Sequence, residues 1–156
     1  LASHANESLK ILLDVTDEEK EILNNFKYKK NIAVIHCDEG AMPKNKKAWC
    51  SWNSSLNSNN KEQSSVTYWL NQLQNLKINK NIFLTINPFF EIDSSKIYNK
   101  IDFEHPYYDE KALKNQTKLN SIQNINNTLF TGSYFGYGFH EDGIKSSIEM
   151  LKTLND

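Results

Sequence analysis

The sequence contains no arginine; all 18 of its basic residues are lysine. No guanidinium fork is therefore present to clamp a carboxylate or phosphate at two points. The net charge is only -1, so electrostatics argues for neither nucleic acid nor an anionic membrane surface as a partner. Cysteine is scarce. Cys37 and Cys50 are too few for a disulfide framework and read as reduced thiols of a cytoplasmic protein. No apolar run approaches the ~20 residues of a membrane span, which predicts no transmembrane segment. The opening LASHANESLKILL has neither a basic start nor a long apolar stretch, so it does not read as a signal peptide.

What is present is a 156-residue chain, 38% hydrophobic and 24% charged, the profile of one globular domain on the polar side. Asparagine is abundant, the expected imprint of an AT-rich coding sequence. The strings NSS, NQT and NNT match glycosylation acceptors, as chance alone predicts in so asparagine-rich a chain.

Residues 6–13 read as a short helix. Thr16 then heads TDEE, a capping box in which Glu19 reaches back to the cap of a second helix ending near Phe26. Strands are expected at NIAVIHC (31–37) and AWCSWN (48–53), paired as a long-looped hairpin. The polar stretch 54–64 is the expected mobile loop. SVTYWL and NIFLTINP read as further strands, with a helical turn at NQLQNL between them. KIYNKIDFEHP reads as a weaker strand stopped by Pro106, 109–123 as a helix, and NTLFTG as a short last strand. The final helix, 143–154, is expected to bury a stripe of Ile144, Ile148, Leu151 and Leu154. Consecutive strands in the middle predict an α+β fold with a mostly antiparallel sheet and flanking helices.

Four of the five glycines fall in TGSYFGYGFHEDG, from Thr131 to Gly143. A strand ending at Gly132, a loop with Gly136 and Gly138, and a helix beginning at Asp142–Gly143 have a physical use. Unpaired amides at a helix start favour negative charge, and glycines admit a flat ligand close to the backbone. Neither GxGxxG nor GxxxxGK[ST] occurs in the chain.

The segments IHCDEGAMP, AWCSWN, VTYWLNQLQ, FLTINP, FEHP and FTGSYFGYGFHEDG follow one another in that order. Together they resemble the C-terminal half of a bacterial family of FAD-dependent oxidoreductases. These are predicted NAD/FAD-binding proteins related to flavin amine oxidases and phytoene-type desaturases, and the resemblance covers almost the whole chain. It implies a split FAD-binding, Rossmann-like domain: a Gly-rich βαβ start that precedes these residues, an inserted substrate domain, and a C-terminal strand–loop–helix that returns to the cofactor. On that basis 1–27 would end an FAD-domain strand and connect onward. Residues 28–127 would be substrate-domain sheet and helix, and 128–156 the FAD-domain return. The resemblance implies that Gly132, Ser133, Tyr134, His140, Glu141, Asp142, Gly143 and Ser146 contact FAD. The backbone N–H groups of Glu141, Asp142 and Gly143 would meet the flavin N1–C2=O edge and stabilise its reduced form. Related amine oxidases often carry an acidic residue soon after the strand glycine, where this chain has GSY.

Tyr137 and Phe139, with Trp52 and Tyr68 from the sheet, are candidates for the wall of a substrate cavity. Its occupant would be a small molecule: an amine, a carotenoid-like polyene or a fatty acyl chain. The implied setting is the cytoplasm or the periphery of the inner membrane. His140, Glu141 and Asp142 are adjacent, but no second histidine stands at helical spacing, so no metal site is expected. His36 with Asp38, and His105 with Phe103, read as satisfied core histidines. The contrasting class is a stand-alone binding domain for carbohydrate or another small molecule, which predicts aromatics on one solvent-facing strand face and leaves GYGFHEDG without a role.

Overall fold

The computed structural model describes residues 1–154; the last two residues of the expected FAD-domain return, 155 and 156, lie outside the described residues. The chain is α+β, with a five-stranded antiparallel sheet and several helices. It divides into two compact units, one made of Leu1–Lys29 and the chain from His105 onward, the other of Lys30–Glu104.

In the first unit, α1 (Ala5–Ile11) is followed by α2 (Asp17–Leu23). The capping box at α2 forms as the sequence dictates: Thr16 Oγ1 accepts from Glu19 N at 3.2 Å, and Glu19 Oε2 accepts from Thr16 N at 2.7 Å. Helix α4 (Glu110–Gln116) is capped by Asp109, whose carboxylate accepts from Ala112 N. A single 3-10 turn, Leu119–Ile122, replaces the expected end of that helix. Ala5, Ile22, Leu23, Phe26, Ala112, Leu119, Ile122, Phe130 and Tyr134 form one buried cluster, so segments far apart in sequence share this core.

Strand order in the sheet is β2-β3-β4-β1-β5, with β1 Lys27–His36, β2 Trp52–Leu56, β3 Ser64–Trp69, β4 Phe83–Ile86 and β5 Ile97–Tyr107. The expected hairpin between 31–37 and 48–53 does not form. β1 pairs with β4, Val34 opposite Thr85, while β2 pairs with β3, Asn53 opposite Thr67. The reason is local. Lys46–Ala48 winds into a 3-10 turn, and the Asn53 carboxamide accepts from Cys50 N and donates to Cys50 O, which delays the strand to Trp52. The stretch expected to be a mobile loop supplies most of β2. Only 57–63 turns the hairpin, held by Asn57 N donating to Gln63 O. The short helix α3 (Leu70–Leu73) follows β3. Pro106 does not stop β5, because β5 is an edge strand and a missing N–H is tolerated there.

Two expectations at the C-terminal end need correction. NTLFTG is not a strand of the sheet. Asn124, Asn126 and Asn127 all take positive φ and fold a tight turn closed by Asn124 N to Thr128 O. Asparagine here does the work of the absent glycine, since its short polar side chain tolerates the left-handed region. Helix α5 runs His140–Lys152, and its apolar stripe is not buried: Ile144, Ile148, Leu151 and Leu154 are each more than half exposed, at 58%, 52%, 53% and 54%. The helix instead turns Gly143, Ser146 and Ser147 inward, where hydroxyls rather than hydrocarbon make its contacts.

Candidate functional site

The segment 129–132 is held on both edges. Leu1 N donates to Leu129 O and Thr131 N donates to Leu1 O, the hydrogen-bond pattern of a parallel pair between Leu1 and Phe130. On the other edge the Gln123 carboxamide stands in for a strand. It donates to Phe130 O at 2.8 Å and accepts from Phe130 N at 2.9 Å. The segment ends at Gly132, whose φ of 156° lies at the margin that favours glycine. A Cβ at Gly132 would strike the Tyr134 ring at 2.7 Å.

From Gly132 the chain winds into a 3-10 turn, Ser133–Phe135. The carbonyl of Ser133 organises the loop, accepting from Gly136 N at 3.1 Å, Gly138 N at 3.1 Å and Tyr108 Oη at 3.3 Å. Gln116 Nε2 donates to Tyr134 O and Gly136 O. Asp142 closes the far side, with Oδ2 accepting from Tyr137 N at 2.9 Å and Phe139 N at 3.0 Å. The loop is therefore built, not slack. Burial, with Tyr28 and Asp142 nearby, pushes the Tyr108 phenol up to about 12, so it stays a neutral donor. Tyr108 and Gln116 were not singled out from sequence; each lies in an ordinary polar setting, and no motif signals its reach to the loop.

Helix α5 begins three residues earlier than expected, which changes the donors on offer. Asp142 N and Gly143 N both donate to Phe139 O, at 3.1 and 3.3 Å. Among the described residues, the amides left without a backbone acceptor at the helix start are those of His140 and Glu141. Glu141 and Asp142 place two carboxylates in the first turn, which offset the positive end of the dipole. The site offers neutral amide donors more than a positive field.

The other expected cofactor residues are sorted by burial. Tyr134 is 2% exposed as a whole residue and packs against Phe26 and Phe135, so it belongs to the core beneath the loop. Ser146 is buried. Its hydroxyl accepts from Gly132 N at 2.9 Å and lies 2.7 Å from Thr131 Oγ1, pinning α5 to the 129–132 segment. Gly143 packs beside Ser133, where a Cβ would meet Ser133 N at 3.8 Å, an ordinary van der Waals contact. Tyr137 and Phe139 are 73% and 69% exposed. Trp52 and Tyr68 belong to the other compact unit, where their rings meet edge to face at 5.0 Å.

Of the histidines, His36 is fully buried in the sheet. Its Nδ1 accepts from Asp38 N, so Nε2 carries the proton and donates to Thr85 Oγ1 at 2.7 Å, which in turn lies 2.9 Å from Thr67 Oγ1. Burial lowers the imidazole below its ordinary value. His36 is thus a satisfied structural group. Among the described residues no cluster of histidine, cysteine and carboxylates could hold a metal ion, and no helix is long and apolar enough to cross a membrane.

Comparison with known proteins finds no matching family and no matching curated protein.

Proposed function

We propose that this chain is the C-terminal part of a bacterial FAD-dependent oxidoreductase of the amine oxidase and desaturase type, and that 129–143 forms its flavin-edge site. The observation that supports the reading is the exposed start of α5, His140 and Glu141, set directly after the glycine loop, with Gly143 packed beside Ser133 N. Among the described residues the amides of His140 and Glu141 have no backbone acceptor, and a glycine-bounded turn precedes them. The parallel hydrogen bonds of Leu1 with 129–131 supply the kind of strand pairing that a Rossmann-like layer uses. The exposed stripe of Ile144 and Ile148 is the face such a layer would cover.

When bound, FAD supplies the hydride acceptor, and dioxygen or another acceptor reoxidises it. The residues of this chain bind and orient. Ser133 N and the amides of His140 and Glu141 would be the donors that hold the electron-rich edge of the flavin. Gly132 leaves room for the Tyr134 ring under the loop, and Gly143 keeps the start of α5 free of a side chain. The Tyr134 main chain borders the turn, while Asp142 and Ser146 hold the loop and helix in place. Tyr137 and Phe139 line the approach of an apolar substrate. The chain's partners are a small molecule, of the amine, polyene or acyl class, and the Gly-rich FAD-binding segment of the same protein. The protein acts in the cytoplasm or at the face of the inner membrane.

One observation favours a second reading, a small-molecule or carbohydrate binding domain without redox activity. Trp52 is 64% exposed and pairs across the strand with Tyr68, which places two aromatics on a partly open sheet face. The coding sequence upstream of Leu1 separates the readings. A Gly-rich βαβ segment in the same frame supports the oxidoreductase; its absence supports the binding domain.

A further inference from the structure

The unit Lys30–Glu104 carries a half-open cleft of about 870 Å³, a volume in the range of small-molecule sites. Its floor and walls are apolar: Ile32, Val34, Phe89, Phe90, Ile92 and Ile97. Phe89 and Phe90 stand at right angles, centroids 5.3 Å apart and planes at 83°, and both line the cleft. The rim holds three charged groups, Glu62, Glu91 and Lys100. None of the three makes an ion pair among the described residues.

A smaller recess of about 480 Å³ adjoins it, sharing Ile32 and Asn87. The shared wall is rigid. Asn87 N donates to Ile32 O at 2.8 Å, and Asn87 Oδ1 accepts from Ile32 N at 2.9 Å. The second recess carries Asp102 and Glu104 against Lys30. Each recess thus sets two carboxylates against one ammonium, and the larger one adds aromatic surface.

We propose that the larger cleft binds an organic cation with an apolar body, of the alkyl- or arylammonium class, its charge held between the Phe89–Phe90 rings and the carboxylates of Glu62 and Glu91. Ring faces attract a cation through their quadrupole, and two carboxylates that lack a partner add to that attraction without first losing one. Lys100 opposes it, but its long stem lets the ammonium turn to solvent. A purely hydrocarbon ligand would leave the carboxylates unused, and an anion would meet the wrong charge balance. The assignment does not depend on flavin binding elsewhere in the chain.

The test is a calorimetric and NMR titration of the 156-residue chain with benzyltrimethylammonium, its uncharged carbon isostere neopentylbenzene, and 3-phenylpropanoate. The cation is expected to bind roughly ten-fold more tightly than the isostere, to perturb the Phe89 and Phe90 signals, and to weaken with added salt. The preference should vanish in the double variant Glu62→Gln/Glu91→Gln, whose exposed positions leave the fold intact, and should grow in Lys100→Gln. Equal or tighter binding of the isostere or the anion, weaker cation binding in Lys100→Gln, or no perturbation by any of the three overturns the proposal.

Discussion

Gly143 packs beside Ser133: a Cβ built on Gly143 would lie 3.8 Å from Ser133 N, an ordinary van der Waals contact, and meet no other neighbour outside its own helix. This separates folding from binding. Gly143→Ala should raise chain stability by up to ~1 kcal/mol, because alanine is the better helix former and nothing obstructs it. The same methyl stands at the helix start proposed to meet the flavin edge, so FAD retention should fall, and fall further in Gly143→Val. Thermal unfolding and flavin content of the two variants read the effects independently.

Gly136 behaves oppositely. A Cβ there would overlap the Asp142 side chain, including its Cβ at 2.8 Å. Gly136→Ala should cost about 1–3 kcal/mol by forcing Asp142 off the loop. Asp142→Ala should cost about 1–2 kcal/mol by leaving the amides of Tyr137 and Phe139 without their acceptor, while Asp142→Asn keeps one oxygen and should cost less. Amide hydrogen exchange at Tyr137 and Phe139 is the direct measurement, with faster exchange expected in the first two variants.

The buried His36 gives the chain a pH dependence with a definite sign. Burial lowers its imidazole, against the smaller opposing effect of Asp38. The unfolded chain accepts a proton near pH ~6.5 while the folded chain still resists it. The contribution is complete above that pH and is lost as pH falls below it. The urea midpoint should drop between about pH 7.5 and about pH 5.5, and His36→Gln, whose amide still donates to Thr85, should flatten that drop.

Asp38 sets a second, more acidic limit. The backbone N–H of Asp93 leads its stabilisation, followed by Gly40 N–H and Lys96, and together they hold its carboxyl at about 2. Its contribution is full above pH ~3.9, where the unfolded group is ionised, and is lost as pH falls toward the folded value. Asp38→Asn should lower the melting temperature at neutral pH and lessen the further loss on acidification below about pH 4.

Local signals were legible in the sequence, and long-range ones were not. The Thr16–Glu19 capping box, the helix that opens at Asp109 and the apolar strand at Phe83–Ile86 follow from short-range chemistry and stand where expected. The partners of β1 could not be read, because pairing depends on contacts over fifty residues apart, such as Ala33 with Ile86. The start of β2 was displaced by one side chain, Asn53, which bonds its own upstream backbone. At the candidate site the glycines and the helix were legible. The inward turn of the Asp142 carboxylate and the reach of Tyr108 and Gln116 were not, since nothing in their spacing marks a long-range hydrogen bond. The apolar stripe of α5 was read correctly as a stripe, yet periodicity says nothing about whether a partner covers it.

The most direct test is the visible spectrum of the protein purified at the full length its gene encodes, as wild type and as Gly143→Val. The account predicts flavin bands at about 375 and about 450 nm in the wild type, with clearly lower flavin content in the variant. A colourless wild-type protein that takes up no added FAD, or a variant with unchanged flavin content, would contradict it.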